Sequence, residues 1–122
     1  MYIAKTQYIV RPIAIYSCTE FTAMTVDIDE ILKALAHPVR REMLTWLKEP
    51  EQHFATQEHP LEFGVCAGMF ERCGLSQSSV SAHLANLQRA GLISSRKIGQ
   101  WSFFKRNDEV IQAFIDQLGE KI

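Results

Sequence analysis

One stretch decides the fold of this chain: Gly74-Leu75-Ser76-Gln77-Ser78-Ser79-Val80-Ser81-Ala82-His83-Leu84-Ala85-Asn86-Leu87-Gln88-Arg89-Ala90-Gly91-Leu92-Ile93. Ser76 is a favoured N-cap and predicts a helix that begins at Gln77. Apolar residues then recur at i, i+4 and i+7, namely Val80, Leu84 and Leu87. Gly91 stands where a helix end favours a left-handed residue. The stretch therefore predicts an amphipathic helix between two glycines.

The opposite face of this helix carries short, neutral side chains instead of the Glu and Lys of an ordinary solvated helix. They are Gln77, Ser78, Ser81, Ala82 and Asn86, with His83 at the flank. Short polar residues at a helix N-terminus let the backbone approach a phosphate and leave side chains free to read base edges. A serine-rich surface helix without a partner is the alternative, and the flanking segments favour a DNA-reading helix.

Composition supports a local contact with a polyanion. The chain has 122 residues, 47% of them apolar, which suits one domain with one core. Its formal net charge is only -1, but all fourteen acidic residues lie outside the segment 72–107. That segment contains six basic residues: Arg72, Arg89, Arg96, Lys97, Lys105 and Arg106. A basic segment beside an acidic remainder is typical of a nucleic-acid-binding surface, although chance segregation gives the same count.

Cysteine usage and hydropathy bear on location. Three cysteines without a convincing signal peptide favour a reducing cytoplasm. No run approaches the roughly 18 apolar residues of a membrane helix, so we expect no membrane partner.

Two parts are predicted along the chain, an N-terminal extension over 1–25 and a domain over 26–122. The extension has strand-like runs at Tyr8–Val10 and Ile13–Tyr16. It is either an arm that packs on the domain or across a dimer, or upstream sequence before a natural start at Met24.

Two helices open the domain. Ile28, Ile31, Leu32 and Leu35 mark the first, which ends near Ala36 because a residue before proline leaves the α region. Pro38 suits the first position of a second helix, Val39–Lys48. At this junction we expect His37 to be satisfied by local hydrogen bonds. Arg40 and Arg41 either reach a phosphate or are solvated.

A helix-turn-helix follows. The acidic segment 49–60 is predicted to be a loop, and a short helix runs from Phe63 or Gly64 to about Cys73. With the turn at Gly74 and the helix from Gln77, it forms the motif.

The chain ends in a hairpin and a helix. Leu92–Arg96 and Trp101–Lys105 are β-rich and are joined around Gly99, so we predict a basic wing. Asp108 is expected to cap a last helix with a broad apolar face, formed by Val110, Ile111, Phe114, Ile115 and Leu118. We favour a dimer seam over simple core for this face.

The predicted fold is mainly α (α+β), a winged helix-turn-helix of order α-α-α-α-β-β-α with dimerising terminal helices. Three motifs carry a resemblance to the ArsR family of winged helix-turn-helix repressors. They are Lys33-Ala-Leu-Ala-His-Pro-Val-Arg-Arg-Glu-Met-Leu44, then Leu75-Ser-Gln-Ser-Ser-Val-Ser-Ala-His-Leu84 with Arg89-Ala-Gly-Leu-Ile93, and Gly99-Gln-Trp-Ser-Phe-Phe104. The resemblance covers about Asp27 to Gln117.

The resemblance implies a homodimer that binds double-stranded DNA at a palindromic operator, with half-sites roughly 34 Å apart. It also implies that the dimer represses transcription until an effector binds. By match to the family's reading helix, the groove residues are Gln77, Ser78, Ser81 and His83. The expected DNA contacts also include Ser76, Ser79 and Arg89, and on the wing Arg96, Lys97 and Gln100. Family wings often have arginine at the position of Gln100, which puts a strong phosphate contact there in doubt.

The effector is less determined. Metal-sensing members resemble Glu-Leu-Cys-Val-Cys-Asp before the turn, whereas this chain has Glu62-Phe-Gly-Val-Cys-Ala67 and keeps only Cys66. A metal or metalloid site needs several converging thiolates or imidazoles. Cys66 with Cys73, Cys18 or His59 across a dimer is one hypothesis, a thiol redox switch is another, and a buried structural Cys66 is the third.

Two other classes of function compete with a DNA-binding regulator. An enzyme would need a nucleophile and a base, such as Cys66 with a histidine, and no acid-base constellation or phosphate loop supports one. A winged-helix module that binds protein is the stronger rival. Salt separates the two, since a protein with several phosphate contacts loses orders of magnitude in DNA affinity between 50 and 200 mM salt.

Overall fold

The computed structural model describes residues 25–122. The helices are α1 (Ile28–Leu35), α2 (Pro38–Lys48), α3 (Pro50–His53), α4 (Ala67–Glu71), α5 (Gln77–Arg89) and α6 (Asp108–Lys121). The strands are β1 (Val65–Cys66), β2 (Ile93–Ile98) and β3 (Trp101–Arg106), and a 3-10 turn covers Leu61–Phe63. The predictions for the N-terminal extension, the start at Met24 and Cys18 fall outside the described residues.

Side-chain caps fix where the main helices begin. Ser76 Oγ accepts a hydrogen bond from the backbone N–H of Ser79 at 3.2 Å, which confirms the predicted N-cap of α5. His37 Nδ1 accepts from the N–H of Val39 at 3.2 Å, so the predicted local role of His37 is also confirmed. The cap of α6 was predicted one residue late. Asn107, not Asp108, is the N-cap, since its Oδ1 accepts a hydrogen bond from the backbone N–H of Val110 at 3.4 Å.

The sheet has three strands, in the order β1-β3-β2, all antiparallel. The predicted hairpin is confirmed, with Ile98 opposite Trp101 and Gly99 at a φ of 63° in the turn. The prediction of a helix from Phe63 or Gly64 was wrong in its first half, because Val65 and Cys66 pair with β3 and the helix begins only at Ala67. The segment 49–60 is likewise not all loop, since it contains α3.

One apolar core joins the helices to the inner face of the sheet. The stripe of α5 is buried there as predicted, together with Ile31, Phe70, Leu92 and Phe104. Phe54, in the segment predicted as a loop, is also fully buried. The apolar faces of α1 and α6 are only partly covered, since Leu32 remains 43% and Ile115 52% exposed.

A second, smaller aromatic cluster covers the outer face of the sheet. Phe103 is only 2% exposed, and its ring centroid lies 5.3 Å from that of His59 and 5.7 Å from that of Phe63. Both partners come from the segment before β1, which therefore folds over the wing instead of extending into solvent.

Gly64 makes this arrangement possible. Its φ is +112°, and a Cβ added there would lie 2.8 Å from the carbonyl oxygen of Phe104. Backbone must therefore come close to backbone in a left-handed conformation, and only glycine meets both requirements without strain.

We expect Gly64→Ala to lower the free energy of unfolding by about 2 kcal/mol or more, since strain of this kind costs roughly 1–3 kcal/mol before the steric clash is added. Urea denaturation at a fixed protein concentration measures it. Gly119→Ala is the control, because Gly119 lies in α6 with nothing within 4 Å of the added Cβ. It should be neutral or stabilising by up to about 1 kcal/mol, and equal losses in both variants would contradict the explanation.

Candidate nucleic-acid interface

The N-terminal half of α5 presents a free polar face. Gln77, Ser78, Ser81 and Ala82 are exposed, because Val80 and Leu84 hold the opposite side in the core. The side chains of Gln77 and Ser81 form no hydrogen bond with residues 25–122. Their donors and acceptors are therefore available to base edges in a major groove.

Ser76 and Ser79 are engaged in the cap itself. The Ser76 hydroxyl lies 3.0 Å from Ser79 Oγ and 3.4 Å from Ser78 Oγ, in addition to its bond to the Ser79 N–H. These serines hold the start of α5, where backbone N–H groups favour an anion. Their hydroxyl groups are therefore engaged within the cap, and DNA contacts by Ser76 and Ser79 stay a prediction.

His83 lies away from the free face and packs against the start of α2. Its ring centroid is 4.5 Å from that of His37, and its Nδ1 accepts a hydrogen bond from Nε of Arg40 at 3.1 Å. Burial, and then the positive charges of His37 and Arg40, lower the pKa of His83 below its ordinary value. A contact between His83 and a base stays a prediction, but its Nδ1 is already committed to Arg40.

The two arginines at the α1–α2 junction are not freely solvated. Arg40 Nη1 donates to the carbonyl of Ala34 at 3.5 Å, and Arg41 Nη1 donates to that of Leu35 at 2.6 Å. Both side chains thus cap the C-terminal end of α1, where unpaired carbonyls favour cations.

The second half of α5 is tied to the wing. Gln88 Nε2 donates to Ser95 Oγ on β2 at 2.8 Å, and the Leu92 N–H donates to the carbonyl of Leu87 at 3.0 Å. Nearby, Arg89 is exposed and donates to Asn86 Oδ1 at 3.1 Å. Sequence reasoning missed the Gln88–Ser95 bond, because no local pattern indicates which strand residue will face a helix.

The predicted wing residues lie on different faces of the hairpin. Arg96 is opposite Phe103 on the outer face and lies 5.8 Å from the centroid of the Phe63 ring, a cation–π contact. Lys97 is opposite Ser102 on the other face, and Gln100 is exposed in the turn. Lys97 and Gln100 are therefore the residues at the tip.

Not every basic residue of the segment 72–107 adds positive charge to the protein surface. Arg106 Nε pairs with Asp108 Oδ1 at 2.8 Å, and its Nη1 donates to the carbonyl of Leu44 at 3.3 Å. Arg106 therefore joins β3 to α6 and α2. The charge count alone overstated the basic surface by at least this residue.

The cysteines do not assemble a metal site within one described chain. Cys66 is half-buried at the end of β1, and Cys73 is exposed, with its Sγ 3.9 Å from the carbonyl of Met69. Desolvation raises the pKa of the Cys73 thiol above its ordinary value, which lowers its thiolate fraction. Across residues 25–122 there is no group of three His, Cys, Asp or Glu side chains placed to hold a metal. Within residues 25–122 of one copy, Cys66 and Cys73 therefore have no set of converging donors for a metal or metalloid.

None of the helices within residues 25–122 has the length and hydropathy that a membrane-spanning segment needs.

Comparison with known proteins places this geometry in a family. The profile described as "Bacterial regulatory protein, arsR family" matches residues 69–95, which cover the end of α4, the turn, α5 and the start of β2. The chain is 38% identical over 96 residues to the uncharacterized HTH-type transcriptional regulator YbzH of Bacillus subtilis, covering 76% of this chain and 96% of that protein.

Two further relatives carry functional names. The chain is 31% identical to the putative arsenical resistance operon repressor ArsR2 of Halobacterium salinarum, over 79% of this chain and 73% of the relative. It is 34% identical to the transcriptional activator HlyU of Vibrio cholerae, over 72% and 70% respectively. These relatives are transcriptional regulators, not enzymes.

A solved structure shows the same fold. An ArsR-like transcriptional regulator from Rhodococcus sp. RHA1 superposes with a TM-score of 0.58 at 21% identity, covering 83% of this chain and 81% of that one.

The His83 environment gives a direct test. We expect an NMR titration of the His83 ring to give a pKa below about 6.5, and Arg40→Gln to raise that pKa by removing one of the two neighbouring positive charges. Arg41→Gln removes an equal charge from the next residue and should leave the pKa in place. Equal effects of both variants would contradict the assigned contact.

The same shift predicts how stability depends on pH. Because the folded-state pKa lies below the unfolded one, the unfolded chain binds more protons in this window, so stability is lost as pH falls below about 6.5. The loss should be smaller in Arg40→Gln, as measured by the urea midpoint between pH 8 and pH 5.

Proposed function

The chain belongs to the ArsR family of DNA-binding transcriptional regulators, and from this premise we propose that it is a homodimeric repressor that binds a palindromic operator and is released by an effector. One observation carries the proposal. The free Gln77 and Ser81 side chains lie at the start of a helix inside an acid-free, basic segment. A module that binds only protein is not favoured by the relatives, which are transcriptional regulators.

We assign the DNA contacts according to which hydrogen-bonding and charged groups of each side chain are free. Gln77, Ser78 and Ser81 read base edges in the major groove, since they are short, exposed and neutral. The start of α5, held by Ser76 and Ser79, binds a phosphate through backbone N–H groups. Arg89, Arg96, Lys97 and Gln100 contact the sugar-phosphate backbone on either side.

The proposed dimer pairs α1 and α6 with the same helices of a second copy. These two helices contact each other and leave Leu32 and Ile115 exposed. Burying such residues contributes roughly 25 cal/mol per Å² of apolar surface. A twofold pair of α5 helices would then match the symmetry of a palindrome.

Repression is proposed over activation on the strength of the relative named as a repressor. Footprinting on the DNA just upstream of the chain's own coding region, with in vitro transcription from the same fragment, tests it. Protection together with reduced transcript supports a repressor, whereas protection with increased transcript contradicts it.

The same footprint identifies the class of effector. Zinc, arsenite, peroxide with and without reductant, and a chelator are added in turn. Loss of protection with a metal or metalloid would require ligands from both copies or from the N-terminal residues, given the donors of one described chain. Loss with peroxide that reductant reverses would point to the thiols.

We expect Ser81→Glu to abolish operator binding in a gel-shift assay, because it places a negative charge against the DNA phosphates without touching the core. Gln52→Glu is the matched control, since it adds the same charge on exposed α3, and it should bind like the parent chain. Circular dichroism melts confirm folding. Retained binding by folded Ser81→Glu would refute the assignment of the reading face.

We expect Leu32→Glu and Ile115→Glu each to shift the protein from dimer to monomer in analytical ultracentrifugation. Operator affinity should fall as well, because the two half-sites would no longer be bound as one unit. Gln52→Glu again controls for charge and should stay dimeric. A parent chain that is monomeric at all concentrations tested would disprove the dimer.

A further inference from the structure

A cavity of about 260 Å³ opens beside the wing, between the segment 56–59, α4 and the first residue of β3. Gln57 braces its wall with three hydrogen bonds. Its Nε2 donates to the carbonyls of His59 and Gly64, both at 3.0 Å, and its Oε1 accepts from the Cys66 N–H at 2.8 Å. The wall is thus held in place before any ligand arrives, as small-molecule sites usually are.

The walls of this cavity are suited to a flat apolar group. Trp101 is 44% exposed, and the centroid of its ring lies 5.0 Å from that of the His59 ring. Met69 contributes a polarisable thioether, which packs well against aromatic rings. Because Trp101 and Met69 both line the cavity, it offers two apolar side chains against which a planar ring can pack.

The charged groups of the lining have opposite signs. Arg72 donates one hydrogen bond, from Nη1 to Thr56 Oγ1 at 3.4 Å, and its other N–H groups stay available. Glu58 supplies a carboxylate. Neither belongs to the ion pairs of residues 25–122. A purely anionic ligand would be repelled by Glu58 and a purely cationic one by Arg72, whereas a zwitterion complements both.

We propose that this cavity binds a small aromatic zwitterion, of which an aromatic α-amino acid is the simplest form. Its carboxylate pairs with Arg72, its ammonium group pairs with Glu58, and its ring covers Trp101. The cavity volume lies just under the roughly 300 Å³ at which drug-sized sites begin, which suits a ligand of this size.

The position of Trp101 gives such a ligand a route to the DNA-binding face. Trp101 also lines a neighbouring cavity of about 270 Å³ together with Gln77, Ser81 and Gln100. A ring packed on Trp101 is therefore one side chain away from the proposed reading residues. We expect the bound ligand to change operator affinity, a consequence that rests on the proposed function, whereas binding itself does not.

The binding test uses the protein without DNA. L-phenylalanine is titrated into the full chain while the indole N–H signals of its two tryptophans are followed by NMR. The Trp101 signal should move. The Trp46 signal should stay, since Trp46 packs near Phe70 with the two ring centroids 6.5 Å apart and does not line the cavity.

Matched ligands and variants assign the two charges. L-phenylalaninamide lacks the carboxylate and N-acetyl-L-phenylalanine lacks the ammonium group, and each should bind about tenfold more weakly. Arg72→Gln should weaken the binding of L-phenylalanine by a similar factor and leave the affinity for L-phenylalaninamide unchanged. Glu58→Gln should weaken the binding of both of these ligands and leave only the affinity for N-acetyl-L-phenylalanine unchanged. A stationary Trp101 signal, or equal affinity for all three ligands, would overturn the proposal.

The regulatory consequence has its own readout. Fluorescence anisotropy on the operator should show that L-phenylalanine changes the affinity of the parent chain but not that of Arg72→Gln. Ligand binding with unchanged operator affinity would overturn the regulatory part alone. Failure of the parent chain to bind any operator would instead contradict the proposed function and leave the NMR titration unaffected.

Discussion

Burial of the α5 stripe fixes the orientation on which the proposed DNA contacts depend. Val80, Leu84 and Leu87 are each at most 3% exposed, and truncation of any one would cost several kcal/mol. Because a helix is rigid, holding one side in the core decides which side chains reach solvent. The neutral face with Gln77 and Ser81 therefore points to solvent because the opposite face is packed in the core. The side chains of Gln77 and Ser81 form no hydrogen bonds with residues 25–122 that would hold them there.

Sequence patterns were sufficient for the elements whose periodicity and caps are local. The N-cap at Ser76, the left-handed Gly91 with a φ of 84° and the hairpin around Gly99 all follow from residue types at short spacing. The family resemblance rests on the same segments, which is why fold and broad function could be predicted together.

Elements that depend on distant partners could not be predicted. Val65 and Cys66 form a strand only because β3 lies beside them and Gly64 allows the close approach. His83 was expected in the groove because its position in the motif matches, but its environment is set by Arg40, 43 residues earlier. The same holds for Phe54, whose burial nothing in the acidic segment around it indicates.

The segment before β1 gives this domain a covered wing. Phe103, under His59 and Phe63, stabilises the outer face of a hairpin that otherwise pairs with only one short strand. It also places the Phe63 ring 5.8 Å from the Arg96 guanidinium carbon. The wing's position is thus set from both of its faces.

The Gln88–Ser95 hydrogen bond and the short connection after α5 couple α5 to the wing. When one of them tilts, the other tilts with it, so the proposed major-groove and backbone contacts would be gained or lost together. Their free energies add, and the corresponding factors in the equilibrium constant multiply. In a twofold assembly each copy contributes such a product to the equilibrium constant for DNA binding. A small rotation between the copies would then change the occupancy of the DNA steeply instead of gradually.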